Sequence, residues 1–345
     1  MLSPMFNQLL VPFLVAIFLA INMGASGVAP AFSAAHGANV LHKSVIPGLF
    51  GLMVFIGALL AGKATATTLG NDMLPAEKMS FVLVSIILFS VAISLLLANL
   101  FGIPQSTSQS TVMAITAPAV YFNVVNEHKL FVEVIPAWFI TPLLSFGICY
   151  LAARFIYNPI RKKGYLTYRN ISQHKLVKGI IIFMSLYVAF AIGSNNVANA
   201  AGPIAAMVVN EMGLPGSGSN FMIIMILSTL IVAPSFGIGA SLMGHKVLNN
   251  TGKGIFLFGP FEGIIISFVT ATLLLLTSIV KGIPTSLVQL NAGAIIGVGV
   301  ARLGAKNIFR KTEVNRFFIM WVISPLVAFI LSMGLTWTAD KMGLL

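Results

Sequence analysis

The chain has 345 residues, of which 58% are hydrophobic and only 8% are charged. A soluble domain carries about 25% charged residues, so this chain lacks the charge to cover a water-facing surface, and a soluble enzyme is excluded. Its apolar runs are continuous, as in Phe81–Leu97, whereas a membrane β-barrel alternates polar and apolar residues. The composition therefore predicts an all-α polytopic membrane protein, because helices satisfy their own backbone hydrogen bonds in lipid.

The apolar segments predict about ten transmembrane crossings of about 20 residues each. In chain order they are residues 6–33, 45–62, 80–100, 104–122, 131–153, 178–209, 221–243, 255–280, 284–301 and 317–337. Each half then holds an odd number of crossings, so the second half is inverted relative to the first. The predicted organisation is a first transmembrane repeat at 1–153, a basic cytoplasmic loop at 154–178 and a second transmembrane repeat at 179–345.

The net charge of +12 comes from basic residues that flank the predicted crossings. The segment Arg154–Lys178 has no acid, and a second basic cluster lies within Arg302–Arg316. Positively charged loops stay in the cytoplasm, so both segments are placed inside and both termini outside the cell membrane. The basic residues are therefore interpreted as topology signals that contact membrane lipid. Nucleic acid is not expected as a partner.

Three short strings recur in the same order in both halves, which indicates an internal duplication. The pairs are GASGVAPA (Gly24–Ala31) with GSNNVANA (Gly193–Ala200), GALLAG (Gly57–Gly62) with GASLMG (Gly239–Gly244), and GIPQSTSQ (Gly102–Gln109) with GIPTSLVQ (Gly282–Gln289). An inverted duplication places a site at the membrane midplane between the repeats, and this architecture is typical of secondary transporters.

The third string carries the chemistry of an anion site in each half. Pro104 and Pro284 can start helices, because proline has no amide hydrogen to leave unpaired. The polar residues that follow are Ser106, Thr107, Ser108 and Gln109 in the first half and Thr285, Ser286 and Gln289 in the second. A helix N-terminus offers free N–H groups and the positive end of the helix dipole, so two such ends facing each other predict a site for a compact tetrahedral oxyanion. The alternative is that these small residues only allow close helix packing in lipid.

Few charged or titratable residues fall at membrane depth, where they are functional candidates by default. Glu262 lies near the inner start of its predicted crossing, where it either sits at the membrane interface or takes part in proton transfer. His36 and His245 lie close to the inner edge and are candidate proton relays. The sequence has no metal-ligand cluster and no GxxxxGK[ST] nucleotide loop, so no cofactor is expected and an enzyme or a nucleotide-driven pump is disfavoured.

The paired strings resemble the signatures of the inorganic phosphate transporter (PiT) family, which read GANDVANA and G-x-P-x-S-T-T-H. The similarity also includes Gly244–Ile255 and extends over nearly the whole chain. It implies two inverted-topology repeats with broken or re-entrant helices at the signatures, a homodimer, and oxyanion uptake with sodium or protons. The substrate-binding positions that it implies are Ser26, Gly27, Asn195 and Asn196 in the signatures and Ser106, Thr107, Ser108, Thr285 and Ser286 in the S-T-T stretches, with Gln109 and Gln289 beside them.

The chain departs from this family pattern at its acids. Gly27 and Asn196 stand where the signatures have aspartate, and Gln109 and Gln289 stand where the stretches end in histidine. This acid-free variant is similar to the CysP-type sulfate permease branch. Sulfate carries no proton at neutral pH, so it suits a site of hydrogen-bond donors, where a carboxylate would add a repelled and unpaired charge.

The function predicted from these residues is sulfate uptake by secondary active transport. Without the carboxylates the site lacks the hard oxygen ligands expected of a sodium site, so coupling to a proton is predicted over coupling to sodium. Phosphate symport is the alternative within the family, thiosulfate is a related candidate substrate, and an anion channel is the alternative from another class.

Overall fold

A computed structural model describes residues 4–37, 40–100, 105–162, 174–215, 218–250 and 259–345. All regular structure in these residues is helical, as the composition predicts. In the first half the helices are α1 (Pro4–Gly37), α2 (Ile46–Ala61), α3 (Lys63–Thr67, continued by a π turn at Thr68–Asp72), α4 (Phe81–Leu100), α5 (Thr107–Tyr121), α6 (Ile135–Leu151, between π turns at His128–Val134 and Ala152–Tyr157) and α7 (Asn158–Lys162). In the second half they are α8 (Lys175–Asn196), α9 (Ala198–Glu211), α10 (Ser219–Val232), α11 (Pro234–Asn250), α12 (Pro260–Val280), α13 (Leu287–Leu303), α14 (Ala305–Phe309) and α15 (Thr312–Lys341).

Seven helical segments in the described residues are long and apolar enough to cross a membrane. The pair Ile46–Ala61 and Lys63–Asp72, which is bent by 73° at Gly62, makes an eighth when its two helices are counted as one span. Their outer faces carry large apolar side chains such as Leu60 and Phe139, which are 76% and 71% exposed. A continuous apolar surface of this kind is covered by lipid, so the chain is a multi-pass membrane protein.

The other two predicted crossings, 104–122 and 284–301, are the short helices α5 and α13, with 15 and 17 residues. At 1.5 Å per residue they are about 22 and 26 Å long, less than the roughly 30 Å of a hydrocarbon core. The residues that cap their starts, Ser106 and Ser286, are only 2% and 3% exposed. Both helices therefore start inside the protein, as partial spans rather than full crossings.

The two halves make equivalent helix contacts. Helix α1 packs against α11 and α4, and its counterpart α8 packs against α2 and α12. Helix α5 packs against α15, and its counterpart α13 packs against α6. Each of these contacts in one half therefore has an equivalent contact in the other half, as expected of inverted-topology repeats.

The second repeated string lies where these helices cross. A Cβ atom on Gly57 of α2 would overlap the carbonyl oxygen of Phe190 in α8. A Cβ atom on the equivalent Gly239 of α11 would overlap the carbonyl oxygen of Ile21 in α1. Glycine is required at both positions because it alone lets the two backbones approach this closely.

The duplicated signature is interrupted in only one of its copies. The first copy lies inside α1, whose 34 residues run without a break although Pro30 is within it. The second copy is interrupted at Val197, between α8 and α9. The family resemblance implied a break at both copies, but Pro30 removes a single N–H donor, and neighbouring helices can re-satisfy such a site in a membrane bundle.

Polar contacts lie near the far ends of both α5 and α13. Near the end of α5, Tyr121 donates to Asp340 over 2.8 Å, and Asp72 lies 3.6 Å from Lys129. Near the end of α13, Asn158 of α7 donates to the Ala301 carbonyl over 3.1 Å. At the same end Arg302 lies over the ring of Tyr157, 5.7 Å from its centre, and this contact joins the two basic segments that the sequence predicts on one side; residues 163–173 of the first segment lie outside the described residues.

Candidate functional site

The starts of α5 and α13 have the same local structure. Ser106 and Ser286 are the N-cap residues, with extended backbone angles, and each side-chain oxygen accepts a hydrogen bond from a backbone N–H three residues later, at Gln109 or Gln289, over 3.2 Å. Serine is a favoured N-cap because its oxygen satisfies one of the unpaired N–H groups of the first turn. Pro284 therefore lies two residues before its cap rather than in the first helical turn, and the matching Pro104 lies outside the described residues.

Gln109 and Gln289 join the two helix starts directly. The Nε2 atom of Gln109 donates to Oε1 of Gln289 over 3.2 Å, and the reverse bond is 2.9 Å long. Both side chains are 3% exposed. The sequence placed both residues in one site, and the structure brings them into contact as a reciprocal amide pair.

Asn195, in the second signature, links the same two helix starts. Its Nδ2 atom lies 3.2 Å from Oγ of Ser108 and 2.5 Å from the carbonyl oxygen of Thr285. Its Oδ1 atom accepts from the backbone N–H of Thr285 over 3.3 Å. This fully buried amide therefore holds α8 against the starts of both α5 and α13.

The hydroxyl of Ser108 is left as a hydrogen-bond donor by its surroundings. Its oxygen accepts from the side-chain amides of Asn195 and Asn199, at 3.2 and 3.4 Å. A hydroxyl has two acceptor lone pairs and one hydrogen, so both lone pairs are occupied and the hydrogen remains to be donated. The Oδ1 atom of Asn199 is buried and has no hydrogen-bond partner within the described parts of the chain.

The other predicted substrate residues occupy different surroundings. Thr107 is buried in the first turn of α5, and Oδ1 of Asn196 lies 3.2 Å from Nδ2 of Asn195, so both belong to the same group. In the first signature, the hydroxyl of Ser26 donates to the carbonyl oxygens of its own helix, at residues 22 and 23. Gly27 lies where a Cβ atom would be 3.2 Å from the ring of Phe50. No hydrogen bond among the described residues connects Ser26 or Gly27 to the helix starts.

Glu262 is buried and paired. One carboxylate oxygen lies 2.5 Å from Arg302, and the other accepts the backbone N–H of Gly259 over 3.0 Å, so the side chain also caps its own helix. Arg302 in turn lies over the ring of Tyr157, 5.7 Å from its centre. His36 lies in the last turn of α1, and His245 lies in α11, where its side chain is outside the described parts of the chain.

All eight acidic residues of the chain fall in the described ranges. Glu262 is the buried one among them, and it pairs with Arg302. None of the hydrogen bonds described joins a carboxylate to the groups at the starts of α5 and α13. The site between these helices is therefore made of hydroxyl, amide and backbone groups.

Two features of this region escaped the sequence comparison of the halves. Trp138 of α6 donates to the carbonyl oxygen of Pro284 over 3.2 Å, which places α6 against the start of α13. Its segment, WFITP, recurs as WVISP at residues 321–325. This is a fourth repeated string, and it is visible in the sequence in the same way as the other three. Gln105, directly before the Ser106 cap, is bonded to Ser324 of α15, and nothing local in the sequence signals that contact.

Inverted repeats with a buried polar site between the starts of α5 and α13 are the architecture of a secondary transporter. The sequence profile of the phosphate transporter family matches residues 23–170 and 166–332, one match in each half. The chain belongs to this family.

Individual relatives differ in the anion that their names give. CysP, a sulfate permease of Bacillus subtilis (strain 168), is 33% identical over 322 residues, which cover 92% of this chain and 84% of that protein. A putative phosphate permease of Thermococcus kodakarensis is 26% identical over 397 residues, covering 94% and 96%. A solved structure described as the sodium-dependent phosphate transporter matches with a TM-score of 0.81 at 23% identity, over 97% of this chain and 99% of that one, a similarity that concerns the fold.

Proposed function

We propose that this chain takes up sulfate by alternating access, in symport with a proton. The observation that carries the proposal is the set of hydrogen-bond donors at the buried starts of α5 and α13. The oxygens of Ser106 and Ser286 already accept the capping N–H groups, and the oxygen of Ser108 accepts two amides. Each hydroxyl therefore has its hydrogen left to donate, beside the free N–H groups of a helix start.

This arrangement suits an anion that only accepts hydrogen bonds. A donor to a charged acceptor is worth about 1.5–3 kcal/mol, and an unmatched buried polar group costs about 1–3 kcal/mol. Fully deprotonated sulfate can accept from every donor and has no hydrogen that needs an acceptor. The similarity to a sulfate permease over most of the chain favours the same substrate.

A second candidate, hydrogen phosphate, is favoured by one specific atom. The buried Oδ1 of Asn199 is an acceptor with no partner among the described residues, and it can receive the proton that hydrogen phosphate carries. The same neutral oxygen can contribute to a sodium site, and the structural neighbour is named as sodium-dependent. Sodium-coupled phosphate transport is therefore the alternative function that the experiment must distinguish from proton-coupled sulfate uptake.

The test is uptake of labelled sulfate into proteoliposomes that contain the full chain, with an imposed proton gradient, sodium gradient or neither. We expect the inward proton gradient to accelerate uptake, sodium to be dispensable, and phosphate to compete poorly at neutral pH. Internal unlabelled sulfate should accelerate entry of labelled sulfate, since exchange of this kind requires alternating access and a channel lacks it. Equal competition by phosphate, or a strict need for sodium, would favour the second candidate.

We further propose that the chain forms a homodimer in the cell membrane, with both termini outside and the loop at 154–178 in the cytoplasm. The meeting of the two basic segments at the end of α13 supports the orientation, because positive loops remain on the cytoplasmic side. Labelling of single cysteines introduced at residue 345 and within the loop, with an impermeant reagent on intact cells, tests it. A loop cysteine that reacts from outside would contradict the proposed orientation and support the opposite one.

A further inference from the structure

Gln105 is held by hydroxyl groups from two helices outside its own segment. Its side-chain oxygen accepts from Ser324 of α15 and lies 3.5 Å from the hydroxyl of Ser94 in α4. Ser324 is also 3.0 Å from the hydroxyl of Ser110 in α5, and Ser94 donates to the Ser324 carbonyl over 3.2 Å. All four side chains are at most 4% exposed. The serines therefore form a buried cradle for one amide oxygen.

The nitrogen of the same amide is left without a partner. Nε2 of Gln105 is buried and has no hydrogen-bond acceptor in the described part of the chain. The serines of α4 and α15 satisfy the oxygen of this amide, and its nitrogen is left unsatisfied. Leaving such a donor dry and unpaired is costly, so it marks a position where an acceptor is expected.

In the second half, the described residues at the matching positions do not form an equivalent cradle. Thr285 stands at the position that matches Gln105, and its hydroxyl donates to the nearby carbonyl of Ile283 over 3.1 Å. Leu290 matches Ser110, and Thr141 matches Ser324 but donates within its own helix, to Ala137 over 2.8 Å. The unpaired amide is therefore a feature of the first half alone, placed one residue before the Ser106 cap.

We propose that Gln105 is a substrate-binding residue, whose amide donates to an oxygen of the bound oxyanion, and that Ser324 and Ser94 are the positioning residues that present it. This inference rests on the proposed function, because it gives the anion a donor beyond those of the duplicated strings. It also makes the site asymmetric, since one side of the anion meets a glutamine amide and the other meets Thr285. A donor fixed in this way discriminates against oxyanions that carry a proton at the oxygen it faces.

The test is equilibrium binding of labelled sulfate to the purified full chain in lipid nanodiscs, with competition by phosphate at two pH values. Gln105→Met keeps the length of the side chain and removes the amide, so sulfate affinity should fall about tenfold. Gln105→Glu replaces the donor with an acceptor, so sulfate affinity should fall further while the sulfate-to-phosphate preference shifts toward phosphate by about tenfold or more. Ser324→Ala should weaken sulfate binding less than Gln105→Met, and Ser324→Thr should restore it.

The matched control is Thr141→Val, which removes the pseudo-equivalent hydroxyl of the second half and should leave sulfate affinity within about twofold. If the parent binds sulfate and Gln105→Met binds it equally well, with only a lower melting temperature, the glutamine is a packing residue and the inference is overturned. If the parent binds phosphate and not sulfate, the proposed function fails. The role of Gln105 then stands only if Gln105→Met weakens phosphate binding about tenfold. A parent that binds neither anion overturns both.

Discussion

Helices α5 and α13 are the same element of the two halves, and they agree at their starts while they differ at their ends. Both start with a serine cap and a glutamine that meets its counterpart. Helix α13 ends at Arg302, which pairs with the buried Glu262, whereas α5 ends at the surface, where Tyr121 meets Asp340. The duplicated unit has kept the part that faces the proposed substrate, and the ends have diverged because they face opposite sides of the membrane.

The largest expected effect concerns the two ends. Glu262→Gln takes the carboxylate away from Arg302, whose side chain is 17% exposed, so we expect a loss of about 3 kcal/mol in the free energy of unfolding, the low end for a broken buried pair. Asp340→Asn at the exposed end should change it little. Thermal unfolding of the purified variants measures both, and Glu262→Gln combined with Arg302→Met should recover most of the loss.

The same double variant separates a structural role of Glu262 from proton transfer. If the carboxylate only pairs with Arg302, the double variant retains proton-driven sulfate uptake. Loss of the response to the proton gradient in a variant that unfolds at the parent's temperature would instead assign the proton to Glu262, as the sequence allowed.

The next largest effect concerns the two signatures. Asn195→Ala removes the amide that links Ser108 to Thr285 and leaves buried groups unpaired, at about 1–3 kcal/mol each. Sulfate affinity should fall about a hundredfold. Ser26→Ala in the other signature should change affinity less than about threefold, because its hydroxyl bonds only to carbonyls of its own helix. Calorimetry compares the two, and similar losses would place the first signature in the binding site.

The helix crossings should respond alike in both halves. Gly57→Ala and Gly239→Ala each force a methyl group against a backbone carbonyl, so each should destabilise the protein by about 1–3 kcal/mol. Gly147→Ala in α6 is the control, since a Cβ atom there meets nothing within 4 Å. Size exclusion after heating measures all three. A large effect at one glycine and none at the other would mean that the halves do not cross equivalently.

The smallest expected effect concerns the caps. Ser106→Ala and Ser286→Ala each remove one donor and one cap, so sulfate affinity should fall about tenfold and stability by about 1 kcal/mol. Thr116→Val in α5, which loses a hydroxyl bonded within its own helix, serves as the control in sulfate binding and thermal unfolding. Serine variants that bind as tightly as the parent would make these stretches packing motifs.

The sequence brought together the residues of the candidate site that the third repeated string carries. Ser106, Ser286, Gln109 and Gln289 could be paired because duplicated strings fix their register, and composition was enough for the helical membrane fold. Gln105 and Ser324 could not be paired, because 219 residues separate them and no repeat connects them. The sequence also could not tell that α5 and α13 are partial spans, since their composition resembles that of full crossings and only their caps mark where they start.

The reciprocal pair of Gln109 and Gln289 has a consequence for how such a chain could arise. In a contact of this kind each residue meets its own copy, which is the relation that a twofold axis imposes on two identical subunits. Two separate copies of one half, inserted in opposite orientations, could form this glutamine pair across a twofold axis. Joining them into one polypeptide is what then allows a glutamine to be acquired at position 105 without acquiring a second at position 285.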